Sequence, residues 1–279
     1  MNCPLCQSES KIVFEAKGFP VRDCAKCRHR FAEVLTSENH VAQTYDDSYF
    51  TGGGAGYSDY LAEGEMLRRR GDNYAKILSK YTETGKILDV GAAAGFVLQG
   101  FVENGWRGIG IEPNRRMAKF GNERLNLEIL NGDLENFQTA EKFRLVSMIQ
   151  VVAHFHEPRR AFQNAVDLLE PNGFLLIETW NRASLTARIF GKSWHEYSPP
   201  SVLQWFSRES LSGFLDEFGF KKIATGRPSK KISGEHAKSL LEYRLSEKFS
   251  PLLKIIPDKI NFPYPAEDLF WAIYQKRMT

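Results

Sequence analysis

The sequence lacks any run of eighteen apolar residues, which excludes a membrane-spanning helix. It opens Met1-Asn2-Cys3-Pro4-Leu5-Cys6, with no basic stretch followed by an apolar one, so no secretory leader is expected. A soluble, cytoplasmic protein is the expectation. A dominant charge is missing too: 37 Lys and Arg against 34 Asp and Glu leave +3, too little by itself to imply a nucleic-acid partner. Cysteine is absent after residue 27. What is present is globular: 42% hydrophobic and 25% charged residues exclude disordered and collagen-like classes. The 279 residues suffice for one large domain, or one ordinary domain with small additions.

All four cysteines, Cys3, Cys6, Cys24 and Cys27, fall in a C-x₂-C-x₁₇-C-x₂-C pattern. Two C-x₂-C knuckles each grip one face of a tetrahedral ion, and a reducing compartment argues against disulfides. Gln7 to Asp23 suit a short hairpin bent at Gly18-Phe19-Pro20. A ribbon this small buries too little core to fold unaided, so structural Zn²⁺ is expected to hold it. Four thiolates leave no open position for catalysis; a redox pair or free thiols is the alternative. His29 and His40 lie just beyond as substitute ligands.

From Lys86 to Thr179 strand-like and helix-like segments alternate, the pattern of a parallel sheet covered by helices. Strands are expected at Lys86–Val90, Arg107–Glu112, Leu127–Leu130, Leu145–Ile149 and Phe174–Thr179. Helices fall after Gly95, from Asn114 to Leu125, and around Ala161, Phe162, Ala165, Val166 and Leu169. Lys221–Thr225 and Leu269–Gln275 read as sixth and seventh strands.

Three features sit at carboxyl ends of strands, where ligands bind in open α/β sheets. The turn Asp89-Val90-Gly91-Ala92-Ala93-Ala94-Gly95 lets a ligand approach the backbone closely. Glu112 can accept both hydroxyl hydrogens of a ribose, and Gly132-Asp133-Leu134 offers an acid for the amine of an adenine. The turn lacks the Gly-Lys-Ser/Thr ending of a phosphate loop, and it departs from G-x-G-x-x-G with Ala93 and Phe96 at the later glycine sites. An adenosine compound without a pyrophosphate remains, which points to S-adenosyl-L-methionine.

These residues resemble the class I S-adenosylmethionine-dependent methyltransferases. The carriers are Ile87-Leu88-Asp89-Val90-Gly91-Ala92-Ala93-Ala94-Gly95-Phe96, Gly110-Ile111-Glu112-Pro113-Asn114 and Asn131-Gly132-Asp133-Leu134-Glu135. Gln150 to Pro158, Leu169 to Thr179, and Ser207-Arg208-Glu209-Ser210-Leu211 with Phe218-Gly219-Phe220 extend the likeness over roughly residues 60 to 225. The resemblance is strongest to members with an amino-terminal zinc ribbon, often tied to saccharide, lipid or secondary-metabolite tailoring. It implies an α/β, Rossmann-like, doubly wound seven-stranded sheet behind a small zinc ribbon. Segments of 1–40 (ribbon), 41–82 (helical and loop cover over the cofactor) and 83–279 (methyltransferase domain with a helical insertion at about 228–265) follow.

The resemblance further implies that Gly91, Ala92 and Gly95 lie along the methionine part of the cofactor, with Asp89 and Phe96 also among the cofactor-binding residues. Glu112 would hold the ribose with Pro113 beside it, Asp133 and Leu134 the adenine, and Gln150 and Val151 would close the pocket. Tyr45 to Tyr60 looks like the segment folding over the cofactor; a flexible glycine loop is the other reading. Three departures stand out: Ala93 for a usual glycine, Ala153-His154 for a usual Glu-His, and Pro199-Pro200-Ser201 where a His commonly follows the prolines.

Methyl transfer needs mainly in-line positioning of the acceptor, with a base for hydroxyls and carbon acids. His154 and His156 are the candidate bases; the alternative is that one caps the loop and neither acts. Trp180, Trp194, Trp205 and Phe206 form either an acceptor wall or core, with His195 and Tyr197 on the substrate side. No Asp/Asn-Pro-Pro-aromatic motif follows the fourth strand, which disfavours amino acceptors and leaves an oxygen or carbon of a small molecule, saccharide or lipid-linked among the choices. An RNA methyltransferase and a non-enzymatic cofactor-binding scaffold whose zinc ribbon docks a protein partner are the competing readings. Residues from Lys221 onward carry twelve Lys and Arg against six Asp and Glu, read first as a solvated face. The stripe Ala237, Leu240, Leu241, Leu245 and Phe249 is read as core or a homodimer contact, with a lid over a lipidic acceptor as the alternative.

Overall fold

The computed structural model describes residues 1–34, 40, 44–51, 59–228, 230–233, 261–264 and 267–277. Its main sheet has seven strands: β4 (Lys86–Val90), β5 (Arg107–Glu112), β6 (Glu128–Asn131), β7 (Phe143–Ile149), β8 (Leu169–Trp180), β10 (Phe220–Gly226) and β13 (Leu269–Lys276). Their order is β10-β13-β8-β7-β4-β5-β6. Only β13 runs antiparallel to its neighbours β8 and β10. The chain leaves β4 to one side for β5 and returns on the other side as β7, so a crevice opens at the carboxyl end of β4.

The helices start where the sequence supplies caps. Asn114 accepts from Met117 N at 2.9 Å and opens the helix Arg115–Arg124. Pro158 opens Pro158–Leu168, and Ser207 with Ser210 forms a reciprocal capping box for Arg208–Glu217. The helix Gly64–Leu78 lies backbone to backbone on Phe96–Glu103, because Gly71 and Gly100 have no side chain at the crossing.

The amino-terminal segment folds as β1 (Ser10–Ala16), β2 (Phe19–Cys24) and β3 (Arg30–Ala32), turning at Lys17 and Gly18, both at positive φ. A fourth strand completes this sheet from far along the chain: β9 (Gln204–Trp205) pairs with β3. Cys3, Leu5, Cys24 and Phe31 share one buried cluster with Phe155, Phe162 and Phe206. The ribbon, read from sequence as an appended module, therefore shares a core with the sheet domain.

Trp194, Trp205 and Phe206 are buried, Trp205 against Tyr197 and Phe206 against His29, so they serve the ribbon contact rather than an acceptor wall. Of the expected insertion, its ends pair as β11 (Lys230–Ser233) and β12 (Asn261–Tyr264). The apolar stripe from Ala237 to Phe249 lies outside the described residues. Among the described residues no helix is long and apolar enough to cross a membrane.

Candidate functional site

The crevice is a cleft floored by the turn after β4. Gly91, at φ +64°, and Ala92 both donate to the Ile111 carbonyl, at 2.9 and 3.1 Å. A Cβ on Gly91 would meet Val151 Cγ2 at 2.6 Å, so a bare backbone is required between the two strand ends. Ala93 sits at φ +48°, a left-handed conformation in which glycine is easiest, and its amide donates to Glu112 Oε2 at 2.8 Å. Asn114 N donates to Glu112 Oε1 at 2.8 Å. Glu112 is thereby fixed at the end of β5 with one lone pair committed on each oxygen. Burial pushes its carboxyl up to about 7 despite those two amides. Burial likewise lifts Asp89, at the end of β4, to about 7, while Ser147 Oγ donates to it at 2.5 Å.

The cleft brings together Asp89, Gly91, Ala92, Glu112, Pro113, Asp133, Leu134, Gln150 and Val151 of the expected cofactor residues. Gly95 and Phe96 are not on its lining. Gly95 begins the following helix, facing Leu127 and Ile129, and the Phe96 ring is buried under Gly64 beside Tyr60. At one end of the cleft, Asp133 Oδ1 accepts from Asn136 N and Nδ2, both at 2.9 Å, which stiffens the loop. Glu135, buried and on the lining, is a second acid there.

Sequence reasoning missed a buried polar cluster at the opposite end. Glu178, fully buried in β8, accepts from Gln150 Nε2 at 2.8 Å and from the Tyr74 hydroxyl, and lies 3.4 Å from Arg70 Nη1. Arg70 reaches the cleft from the helix Gly64–Leu78. An acid inside the apolar run Leu175-Leu176-Ile177-Glu178 was the available signal, because a buried charge demands a partner. Tyr45, Tyr49, Phe50 and Tyr60 cover the cleft, and Asn114 Nδ2 ties this cover down through the Tyr45 carbonyl at 3.0 Å. Residues 52–58 of that expected segment lie outside the described residues.

Of the two candidate bases, His154 faces the cleft and His156 does not. His156 is turned to Glu135, its Nδ1 3.2 Å from Oε1, and that hydrogen-bonding acid raises its pKa. His154 Nδ1 lies 2.7 Å from the Ser201 carbonyl. A carbonyl only accepts, so the proton sits on Nδ1 and Nε2 carries the lone pair of the neutral ring. Burial lowers the His154 pKa, with the Ser201 and Gln150 carbonyls pulling the other way. A half-buried, neutral, oriented imidazole at the cleft can take a proton from an acceptor. His195, half exposed, stacks edge-on against Trp180 away from that lining.

The four cysteine sulfurs lie within 4.8 Å of one another, with Cys3 to Cys27 at 3.6 Å and Cys6 to Cys24 at 3.4 Å. A tetrahedral ion with Zn–S bonds near 2.3 Å separates its sulfurs by about 3.8 Å, so the set fits zinc with little adjustment. All four are free of disulfides. His29 belongs to another partner: its Nε2 is 2.8 Å from Gln204 Oε1.

A family model described as "Methyltransferase domain" matches residues 62–225. A ubiquinone biosynthesis O-methyltransferase of Rhodopseudomonas palustris is 29% identical over 147 residues, covering 50% of this chain and 55% of the relative. This chain thus spans little more than half the length of that curated relative. Among solved structures, a SAM-dependent methyltransferase of Thermotoga maritima matches with a TM-score of 0.51 at 18% identity, over 78% of this chain and 94% of that one. A magnesium protoporphyrin IX methyltransferase of Synechocystis, solved with S-adenosylhomocysteine bound, matches with a TM-score of 0.51 at 12% identity, over 78% and 88%. At such identities these two likenesses speak to the fold.

Proposed function

This chain belongs to the methyltransferase-domain family, class I and dependent on S-adenosylmethionine, and on that premise we propose that it methylates an oxygen of a small-molecule acceptor. The observation that carries the reading is His154: half-buried, neutral, and holding its proton toward Ser201 so that Nε2 serves as acceptor. A hydroxyl needs such a base at neutral pH, whereas an unprotonated amine does not. The likeness to an O-methyltransferase supports the same choice. A carbon acid activated by the same base is the nearest variant; an RNA acceptor and a non-catalytic scaffold draw no support from these likenesses.

Bound S-adenosylmethionine supplies an electrophilic sulfonium methyl group. This chain's residues do the rest. Glu112 receives the ribose hydroxyls, Asp133, Leu134 and Glu135 border the adenine, and Gly91 and Ala92 let the methionine chain pass close to the backbone. Arg70, beside Glu178 and on the cleft lining, offers a cation to the amino-acid end. Tyr45, Tyr49 and Phe50 screen the cleft from water, and His154 Nε2 takes the acceptor proton. The acceptor class stays within small molecules, with saccharide and lipid-linked hydroxyls as the first to screen. The Cys3, Cys6, Cys24 and Cys27 thiolates hold a structural zinc ion.

Calorimetric titration with S-adenosylhomocysteine tests the reading. Micromolar binding to the wild type, lost in Glu112→Ala, is expected. No binding to well-folded wild-type protein sinks it.

A further inference from the structure

The short strap Ser201 to Gln204 grips three consecutive residues of the loop after β7. Leu203 N donates to the Ala153 carbonyl at 2.9 Å. The Ser201 carbonyl accepts from His154 Nδ1 at 2.7 Å, and Gln204 Nε2 donates to the Phe155 carbonyl at 3.0 Å. From its other side the strap is held by the cysteine ribbon. Ala32 N donates to the Leu203 carbonyl at 2.9 Å, and β3 pairs with β9 in the register Arg30 to Trp205 and Phe31 to Gln204. His29 Nε2 closes the contact on Gln204 Oε1 at 2.8 Å.

The chemistry fixes every proton in this chain of contacts. The Phe155 carbonyl can only accept, so the Gln204 amide group faces it and the Gln204 oxygen faces His29. His29 must then donate from Nε2. Both side chains are buried, Gln204 at 4% exposure and His29 at 0%, so water cannot replace either bond. A single carboxamide thus spans from the ribbon to the residue after His154.

We propose that Gln204 is a positioning residue, which transmits the placement of the ribbon to His154 by fixing the strap whose Ser201 carbonyl orients the imidazole. The inference rests on the reading of His154 as the proton acceptor. It also gives the ribbon a task in the active site: it is the outer wall against which the strap is registered. Tyr45 is served by the same device, since its hydroxyl donates to the Ser201 carbonyl at 2.7 Å.

The test is ¹⁵N NMR of the histidine side chains in the full chain, with His154→Gln identifying the resonance. Wild-type His154 is expected as the Nδ1–H tautomer alone. Gln204→Met keeps length and apolar packing while removing both hydrogen bonds, and should give a tautomer mixture with loss of the protected Nδ1–H signal. His29→Phe keeps the ring against Phe206 and removes only the ribbon half; a smaller shift in the same direction is expected. Retention of the wild-type tautomer in both variants reduces Gln204 to a structural residue and overturns the proposal. If Gln204→Met does not fold, His29→Phe decides alone, by the same criterion. Titration of the same samples with S-adenosylhomocysteine separates the two failures. Binding with an unmoved His154 signal sinks the positioning role, whereas no binding by the wild type sinks the function and leaves the tautomer result standing.

Discussion

Tyr45 and His154 share one acceptor: the phenol oxygen and the imidazole Nδ1 each lie 2.7 Å from the Ser201 carbonyl oxygen. Their rings meet edge to face, 5.4 Å between centroids. One residue comes from the segment covering the cleft and the other from the loop after β7. Closure of the cover and orientation of the base are therefore joined at a single atom.

The first prediction concerns that base. His154→Gln should lower methyl transfer by about 10²–10⁴-fold while leaving S-adenosylhomocysteine affinity within about twofold. The working form is the neutral ring, and burial lowers its pKa, so at saturating S-adenosylmethionine wild-type activity should be flat around neutrality. It should fall only as pH drops below the ordinary histidine value of 6.5, with the acid limb absent in the variant. Transfer of labelled methyl from S-adenosylmethionine across pH, with an acceptor found by screening, measures both. Equal rates in the two proteins remove His154 from the chemistry.

Glu112 supplies a second prediction, on cofactor affinity. Burial holds its carboxyl at about 7, above the ordinary 4.5, so near neutrality it is part protonated in the free protein. Ribose hydroxyls donate to the ionised form, so binding should release a proton. Affinity for S-adenosylhomocysteine should accordingly rise as pH increases from about 6 to 8. Glu112→Gln should bind more weakly and lose this slope. Calorimetry in buffers of different ionisation enthalpy counts the proton; an equal count in the variant assigns it elsewhere.

What the sequence made legible was local. The strand carrying Asp89, the acid closing the next strand at Glu112, and the two C-x₂-C pairs are each written within a few residues, and periodicity places the two acids on strands. Hidden were the contacts that join distant segments. Nothing near Gln204 announces that it completes the ribbon's sheet by pairing with Phe31, far back along the chain. Arg70 lies in a helix whose pattern carries no cleft signal, and only the fold puts it beside Glu178. Phe96 misled for the same reason. It follows the glycine turn in sequence, yet the first helical turn rotates it away from the cleft and into core.

Packing of the cleft's supporting helix gives a third prediction. A Cβ on Gly100 would stand 2.2 Å from the Arg68 carbonyl oxygen and 2.6 Å from Asp72 N, backbone atoms that cannot swing aside. Gly100→Ala must push the helix Gly64–Leu78 outward, at about 1–3 kcal/mol or more. That helix carries Leu67 and Arg70 to the cleft, so cofactor affinity should drop together with the melting temperature. Gly213, exposed in Arg208–Glu217, has nothing within 4 Å of an added Cβ, and Gly213→Ala should be neutral or stabilising by up to about 1 kcal/mol. Thermal denaturation of the pair checks this; equal melting points refute the close crossing.

The last prediction is about the cysteines. Sulfur separations of 3.6 and 3.4 Å anticipate one tightly held metal ion per chain, zinc by the all-thiolate donor set. Because β3 pairs with β9 and Cys24 and Phe31 share a core with Phe206, losing the ion should not simply release a free tail. Cys24→Ser should abolish stoichiometric zinc and lower the melting temperature of the whole protein in one transition. An independently folded ribbon would melt separately and leave the sheet domain's transition where it was. Metal analysis, with melting followed in parallel by tryptophan fluorescence and backbone circular dichroism, distinguishes these outcomes. Trp205 sits in β9 at the junction and is one of five tryptophans, whose summed fluorescence should report the same midpoint as the backbone signal. Two midpoints would show that the ribbon and the sheet domain do not fold as one unit.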